Sequence, residues 1–373
     1  MHWEDEPPAA TPQTDVNAAV ADWYTFCILS TAMAKTTSNR PSRRTFLKAA
    51  GGAAALGTLA AGLPATGCVY GGDDELADLD ELAASAAHPV ANGFGLTVTD
   101  SGVFDGRLHY YRFATPEISW QPAVNILLPE DYFDTSWRRY PVMYLLHGGA
   151  QDFRKFHAED DIIGLTRGRR LIVVMPDGGT AGWYCNPKRS FFGKKNWETF
   201  HMNQLLPWVE ANFRTYAEYD GRAVSGFSMG GFGALKYTAK YYGHFASVSA
   251  HSGPASLRRD ANAVLLWAEV SAKFAELGGG TLYGTPVDQG LVTNDNPVER
   301  LDSFGYQKRI FLVCGVDADI NETFVRNGQR EFRGLLAQRG IPHEAHELPG
   351  AHFVRREMLQ RDIDGVIARL RKA

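Results

Sequence analysis

The segment Gly226-Phe227-Ser228-Met229-Gly230-Gly231 sets a serine between glycines, directly after the apolar run Arg222–Phe227 and before a helix-forming stretch. A serine at a sharp strand-to-helix turn adopts a strained backbone and projects its hydroxyl clear of the sheet, where it can attack a carbonyl carbon. The helix that follows offers free N–H groups and a partial positive charge to a developing oxyanion. With 38 glycines among 373 residues, GxSxG alone carries little weight. The strand–turn–helix context is what makes Ser228 the expected nucleophile.

A serine nucleophile needs a base, and the base needs a carboxylate to orient it. In the chain order serine, acid, histidine, His352 in Leu348-Pro349-Gly350-Ala351-His352 lies in a loop before the last helical stretch and is the expected base. His343 and His346 read as surface or satisfied core histidines. They lack HExxH spacing, so no zinc site is assigned. The acid is expected just after the strand Ile310–Cys314, in Gly315-Val316-Asp317-Ala318-Asp319-Ile320-Asn321-Glu322. Asp319 and Asp317 compete for that role, with Glu322 ranked behind them, and the losing aspartate is expected to cap the following helix. The Gly-rich turn His147-Gly148-Gly149 can present a backbone N–H, so Gly149 and Met229 are the expected oxyanion donors. His147 is expected to line the substrate pocket, not to act as a second base. Trp183, Tyr184 and Trp197 either line an acyl or aromatic pocket, with Trp183 the foremost of them, or pack as core.

The elements that must hold these groups are legible in the hydropathy pattern. Short β-branched and aromatic runs at 94–99, 107–114 and 123–128 read as strands near a sheet edge. Near-continuous apolar runs at Val142–Leu146, Leu171–Met175, Arg222–Phe227, Phe245–Ala250 and Ile310–Cys314 read as strands buried on both faces. Helical periodicity falls between them at Asn196–Phe213, where Pro207 either kinks the helix or starts another, and at Met229–Tyr242, Ala261–Leu277, Thr323–Arg339 and Val354–Leu370. Strands alternating with helices give an α/β fold with a mostly parallel sheet covered on both faces, in one domain over 91–373.

Taken together, Tyr140-Pro141-Val142-Met143-Tyr144-Leu145-Leu146-His147-Gly148, Val174-Met175-Pro176-Asp177-Gly178-Gly179, Gly182-Trp183-Tyr184, Trp197-Glu198-Thr199-Phe200, Leu206-Pro207-Trp208 and Ser228-Met229-Gly230-Gly231-Phe232-Gly233-Ala234 resemble the esterase D and mycolyltransferase-antigen (antigen 85-like) group of α/β-hydrolases. The resemblance covers 107–360. It implies an α/β-hydrolase fold, acyl transfer by a Ser-Asp/Glu-His set without a cofactor, and oxyanion donors at Gly149 and Met229. Mycolyltransferases carry Ser-Trp-Pro-Tyr-Trp after the histidine, whereas His352 is followed by Phe353-Val354-Arg355-Arg356. Ester hydrolysis is therefore the leading expectation. Acyl transfer to a sugar or lipid hydroxyl, or a catalytically silent envelope-binding protein, are the alternatives.

The N-terminal ninety residues read differently. Ser42-Arg43-Arg44-Thr45-Phe46-Leu47-Lys48 matches the twin-arginine export pattern, and the Ala/Gly/Leu stretch after it is too short and glycine-rich for a spanning helix. Residues 33–67 are thus expected to be a signal peptide, with 1–32 a gene-model extension or disordered leader. Small residues before Cys68 make it a candidate for lipidation, against ordinary cleavage further on. The acidic stretch 68–90 reads as a tether. The expected setting is the cell envelope or exterior, reached through the twin-arginine export machinery. A net charge of −4 and a pI near 6.3 give no footprint for a nucleic-acid partner, which leaves a small-molecule or lipid ester as the expected substrate. The four cysteines lack CxxC spacing, which argues against a disulfide scaffold, and Cys314 reads as a buried thiol.

Overall fold

A computed structural model describes residues 87–373 of the chain. Nine strands form one sheet: β1 (Thr97–Val103), β2 (Leu108–Ala114), β3 (Ala123–Leu127), β4 (Val142–Leu146), β5 (Ile172–Pro176), β6 (Arg222–Phe227), β7 (Ser247–His251), β8 (Arg309–Gly315) and β9 (Glu344–Leu348). Their spatial order is β1-β2-β3-β5-β4-β6-β7-β8-β9. The first four in that order pair antiparallel, and all pairs from β5 to β9 are parallel. This is the α/β architecture expected, with a mostly parallel sheet.

The helices are α1 (Lys155–Ala158), α2 (Ile162–Leu165), α3 (Trp197–Thr199), α4 (Leu206–Asn212), α5 (Met229–Lys240), α6 (Arg259–Ala275), α7 (Gln289–Asp295), α8 (Ile320–Gln338) and α9 (Arg356–Arg369). Alternation along β4 shows how they divide. Tyr144 and Leu146 face a layer that includes Phe232 and Leu235 of α5 and Phe332 and Leu336 of α8. Met143 and Leu145 face a layer that includes Phe156 of α1, Ile162 and Leu165 of α2, and Leu359, Ile363 and Val366 of α9. Every residue of β4, β5, β7 and β8 is buried, which is why these strands fall on near-continuous apolar runs, although β7 is shifted to Ser247–His251 from the expected Phe245–Ala250.

Three local expectations shift. The first strand starts at Thr97 rather than residue 94, because Phe94 and Gly95 take positive φ (55° and 79°) in a tight turn closed by the Gly93–Leu96 bridge. The helix around Pro207 is two α-helical runs joined by a π-helical turn, Phe200–Leu205. Pro207 sits at the start of α4, where its missing N–H costs little. Packing also begins before residue 91: Tyr111 Oη donates to the His88 carbonyl at 2.7 Å, and Trp208 Nε1 donates to that of Ala91 at 2.8 Å. The readings placed on 1–32, 33–67 and Cys68, and most of the tether, lie outside the described residues.

Candidate active site

Ser228 lies between the end of β6 and the first turn of α5, with φ 54° and ψ −119°, a conformation L-residues seldom adopt. The geometry is enforced by glycines. A Cβ on Gly226 would lie 2.3 Å from the Gly230 carbonyl carbon, and one on Gly230 would lie 2.1 Å from the Leu146 carbonyl oxygen. Only hydrogen at these positions lets α5 start so close to β4 and β6. The Ser228 N–H donates to the His251 carbonyl on β7 at 2.9 Å, anchoring the turn to the neighbouring strand.

His352, in the loop between β9 and α9, brings Nε2 to 2.7 Å from Ser228 Oγ. Its Nδ1 lies 2.6 Å from Glu322 Oε2. A carboxylate can only accept, so Nδ1 carries the ring proton and Nε2 is free to accept from the serine hydroxyl. Glu322 is fully buried. Its other oxygen accepts from Ser252 Oγ at 2.8 Å and from the Gly315 N–H. Burial acts to raise this carboxyl, but the hydrogen bond and charge of His352, with the Gly315 and Ser252 donors, outweigh it and hold the group below the usual carboxylate range. Rings enclose the imidazole: Phe227 at 5.1 Å and Trp267 of α6 at 6.1 Å, centroid to centroid.

The loop after β4 passes directly over the serine, and a Cβ on Gly148 would sit 3.2 Å from Ser228 Cβ. The Gly148 N–H is taken by Gln151 Oε1 at 2.9 Å. Among the described residues, the N–H groups of Gly149 and Met229 have no protein acceptor. Both are therefore open to an incoming oxygen.

The Esterase family model matches residues 115–358, most of the chain. The chain belongs to this esterase family. It is similar to the Mycobacterium tuberculosis protein named Esterase Rv1288, at 61% identity over 296 residues, covering 76% of this chain and 64% of that relative. The matched part thus spans less than two thirds of that relative's length. It also resembles the Mycobacterium bovis diacylglycerol acyltransferase/mycolyltransferase Ag85A, at 24% identity over 243 residues, covering 59% of this chain and 70% of that one. Among solved structures, the Staphylococcus aureus fluorophosphonate-binding serine hydrolase FphF matches with TM-score 0.56 and 20% identity, covering 69% of this chain and 96% of its own. Mycobacterium tuberculosis MPT51 matches with TM-score 0.55 and 19% identity, covering 69% and 97%. These last two likenesses bear on the fold alone.

Against this esterase frame, Ser228 and His352 come together as expected, while the expected acids do not meet the histidine. Asp319 caps α8, its carboxylate accepting from the Glu322 N–H at 2.7 Å. Asp317 is exposed and accepts from the Gly350 N–H at 3.0 Å, which shapes the loop carrying His352. Glu322 takes the position because it sits in the first turn of α8, three residues after the cap, and points inward. Asp319-Ile320-Asn321-Glu322 is also a capping-box pattern, so the one available signal pointed to a structural role.

The two expected pocket residues are also placed differently. His147 is buried: Nε2 accepts from the Gly178 N–H at 2.8 Å, and Nδ1 donates to the Gly148 carbonyl at 2.7 Å. It braces the loop after β4 against the loop after β5 instead of lining a pocket. Trp183 is core as well, with Nε1 donating to Ser271 Oγ at 2.8 Å and its ring edge-on to Phe232 and Trp267. Trp267, which no pattern singled out, is the tryptophan beside the histidine. Tyr184 and Trp197 are fully buried packing residues. Glu198 is buried and paired with Lys236 at 2.7 Å and Lys240 at 2.8 Å. Cys185 and Cys314 are both free and buried.

Sequence also missed the polar cluster behind β6 and β7. Fully buried Asp362 of α9 accepts from Ser225 Oγ (2.8 Å), Ser249 Oγ (2.5 Å) and Arg309 Nη1 (2.5 Å), and lies 3.0 Å from His251 Nε2. It ties α9 to three strands, including the residue whose carbonyl anchors the Ser228 turn.

Proposed function

We propose that this protein is a serine carboxylic-ester hydrolase working through an acyl-enzyme. The observation that carries the reading is the continuous chain Glu322–His352–Ser228, ending on a serine held at positive φ. In this reading Ser228 Oγ attacks the ester carbonyl carbon while His352 Nε2 takes its proton. Glu322 stabilises the resulting imidazolium, and the Met229 and Gly149 N–H groups bind the oxyanion. His352 then protonates the departing alkoxide. Water, deprotonated by the same nitrogen, attacks the acyl-enzyme and releases the acid with Ser228 restored. The relationship to Esterase Rv1288 supports hydrolysis.

Acyl transfer is the second reading, supported by the similarity to the acyltransferase Ag85A. A hydroxyl of a sugar or lipid would replace water in the second half, with no change in the residues used. Hydrolysis of p-nitrophenyl esters from C2 to C16, with and without added hydroxyl acceptors, separates the two. Fluorophosphonate labelling at Ser228 tests the nucleophile itself, and a folded chain that neither labels nor hydrolyses would leave a silent binding role. The twin-arginine pattern at 42–48 supports export to the envelope or exterior as part of this proposal, with Cys68 as a lipidation site. Metabolic labelling with a lipid precursor tests the latter.

A further inference from the structure

Large apolar side chains stand exposed on the surface beside His352. Phe353, the next residue, is 48% exposed. On α6, Trp267 leans its ring toward His352, and Phe274, seven residues on, lies along the same stripe of the helix. Leu266 flanks the stripe and is exposed, as is Phe274 at 55%. At the C-terminal end of α6 the stripe meets a second segment. The Phe191 N–H donates to the Leu277 carbonyl at 2.9 Å, and the Phe192 ring lies where a Cβ on Gly278 would be, 2.6 Å away. Phe191 and Phe192 are 58% and 50% exposed. An apolar strip therefore runs from the histidine along α6 to the 191–192 turn, a continuity that scattered surface hydrophobics do not have.

Charge along the strip is one-sided. The Arg189 guanidinium lies 4.5 Å from the Phe191 ring centroid and the Lys273 ammonium 5.6 Å from that of Phe274. Among the described residues neither forms an ion pair, although the Lys273 charge acts on the Glu269 carboxyl. Glu269 of α6 and Glu276, just past its end, turn inward. Glu269 accepts from the Leu282 and Tyr283 N–H groups, and fully buried Glu276 accepts from Trp197 Nε1 at 3.0 Å. Exposed phenylalanines with cations beside them suit an interface where acyl chains lie under anionic headgroups.

We infer that the strip formed by α6, the 191–192 turn and Phe353 docks on an anionic lipid surface, so that the ester reaches Ser228 from the lipid phase. This rests on the hydrolase reading for its consequence, though the docking is measured without it. The test is sedimentation of the full chain with phosphatidylcholine vesicles with and without phosphatidylglycerol. Wild type and Ser228→Ala are expected to bind the anionic vesicles alike, which keeps the docking result apart from any result on catalysis. Phe192→Ser with Phe274→Ser should lower partitioning by about a hundredfold, roughly tenfold for each ring withdrawn. Lys273→Glu should lower it by about fivefold or more. Trp137→Ser, at a 75% exposed tryptophan in a different segment, should leave it unchanged. Hydrolysis of soluble p-nitrophenyl acetate by the double variant should match wild type, showing that its site is intact. Equal vesicle binding by wild type and the double variant would overturn the inference. So would absence of binding by wild type, or a double variant that loses self-association by gel filtration and keeps its vesicle binding.

Discussion

The Glu322 carboxylate reaches His352 Nδ1 at 2.6 Å from the first turn of α8, three residues beyond the aspartate that caps the same helix. The α8 N-terminus adds its own positive end to the donors on Glu322, which favours the ionised acid where the imidazolium would form. Asp319 and Glu322 therefore divide two tasks that a carboxylate in this loop could serve.

Replacement should separate those tasks. Glu322→Gln keeps the shape but removes the charge and the acceptor that fixes the histidine tautomer, and kcat on p-nitrophenyl butyrate should fall by about 10³–10⁴. Asp319→Ala should cost about 1 kcal/mol of stability through the lost cap, read as a lower urea midpoint, with kcat changed far less. The reverse ranking of the two kcat values would return the role to Asp319.

Ser228→Ala is expected to lower kcat by about 10³-fold or more and to abolish fluorophosphonate labelling, while circular dichroism stays that of wild type. Relieving the positive φ is not an alternative explanation, because alanine at this position meets the same backbone strain.

Gly230→Ala tests the close approach of α5 to β4. Its methyl would meet the Leu146 carbonyl oxygen at 2.1 Å and the His147 carbonyl oxygen at 2.6 Å. These are backbone atoms that cannot rotate away, so about 1–3 kcal/mol of stability should be lost. Because the loop carrying Gly148 and Gly149 follows directly, kcat should drop in protein still folded by near-UV circular dichroism. A folded variant with unchanged kcat would show that the loop tolerates the displacement.

Acid stability should reflect Glu198. Burial alone would raise its carboxyl, but Lys236 and Lys240 hold it at about 2. A carboxyl depressed on folding contributes stability above its unfolded pKa and loses it as pH falls through the folded value. The contribution of Glu198 is thus full above about pH 4.5 and vanishes toward pH 2. Glu198→Gln should be markedly less stable than wild type at pH 7, with the two unfolding curves converging as pH approaches 2. A gap that stays constant with pH would mean the residue acts through packing alone.

Asp362 gives a second buried-charge test. Asp362→Ala leaves the Arg309 guanidinium buried without its carboxylate, a change that typically costs about 3–5 kcal/mol. Replacing Asp362 and Arg309 together should recover part of that loss, as a double-mutant cycle in urea would measure.

Most of the frame was legible because the signals are local. Strands buried on both faces favour near-continuous apolar runs, so β4 and β6 appear in the sequence with the bounds the fold uses. The Ser228 turn requires glycines at 226 and 230 because backbone occupies the space a Cβ would need. His352 was legible by chain order. Trp183 and His147 were misread because their neighbours in sequence say nothing of what covers them. One is roofed by Trp267 and Ser271 of α6, the other held by Gly178 of the next strand's loop.

By itself, the sequence determined where Ser228 and His352 sit relative to the strands, since steric and hydropathic demands act between residues a few positions apart. Only the tertiary structure decided which of three nearby carboxylates serves His352. That choice depends on how the first turn of α8 is rotated against a loop 30 residues away in the chain, where side-chain direction and not residue type selects the partner.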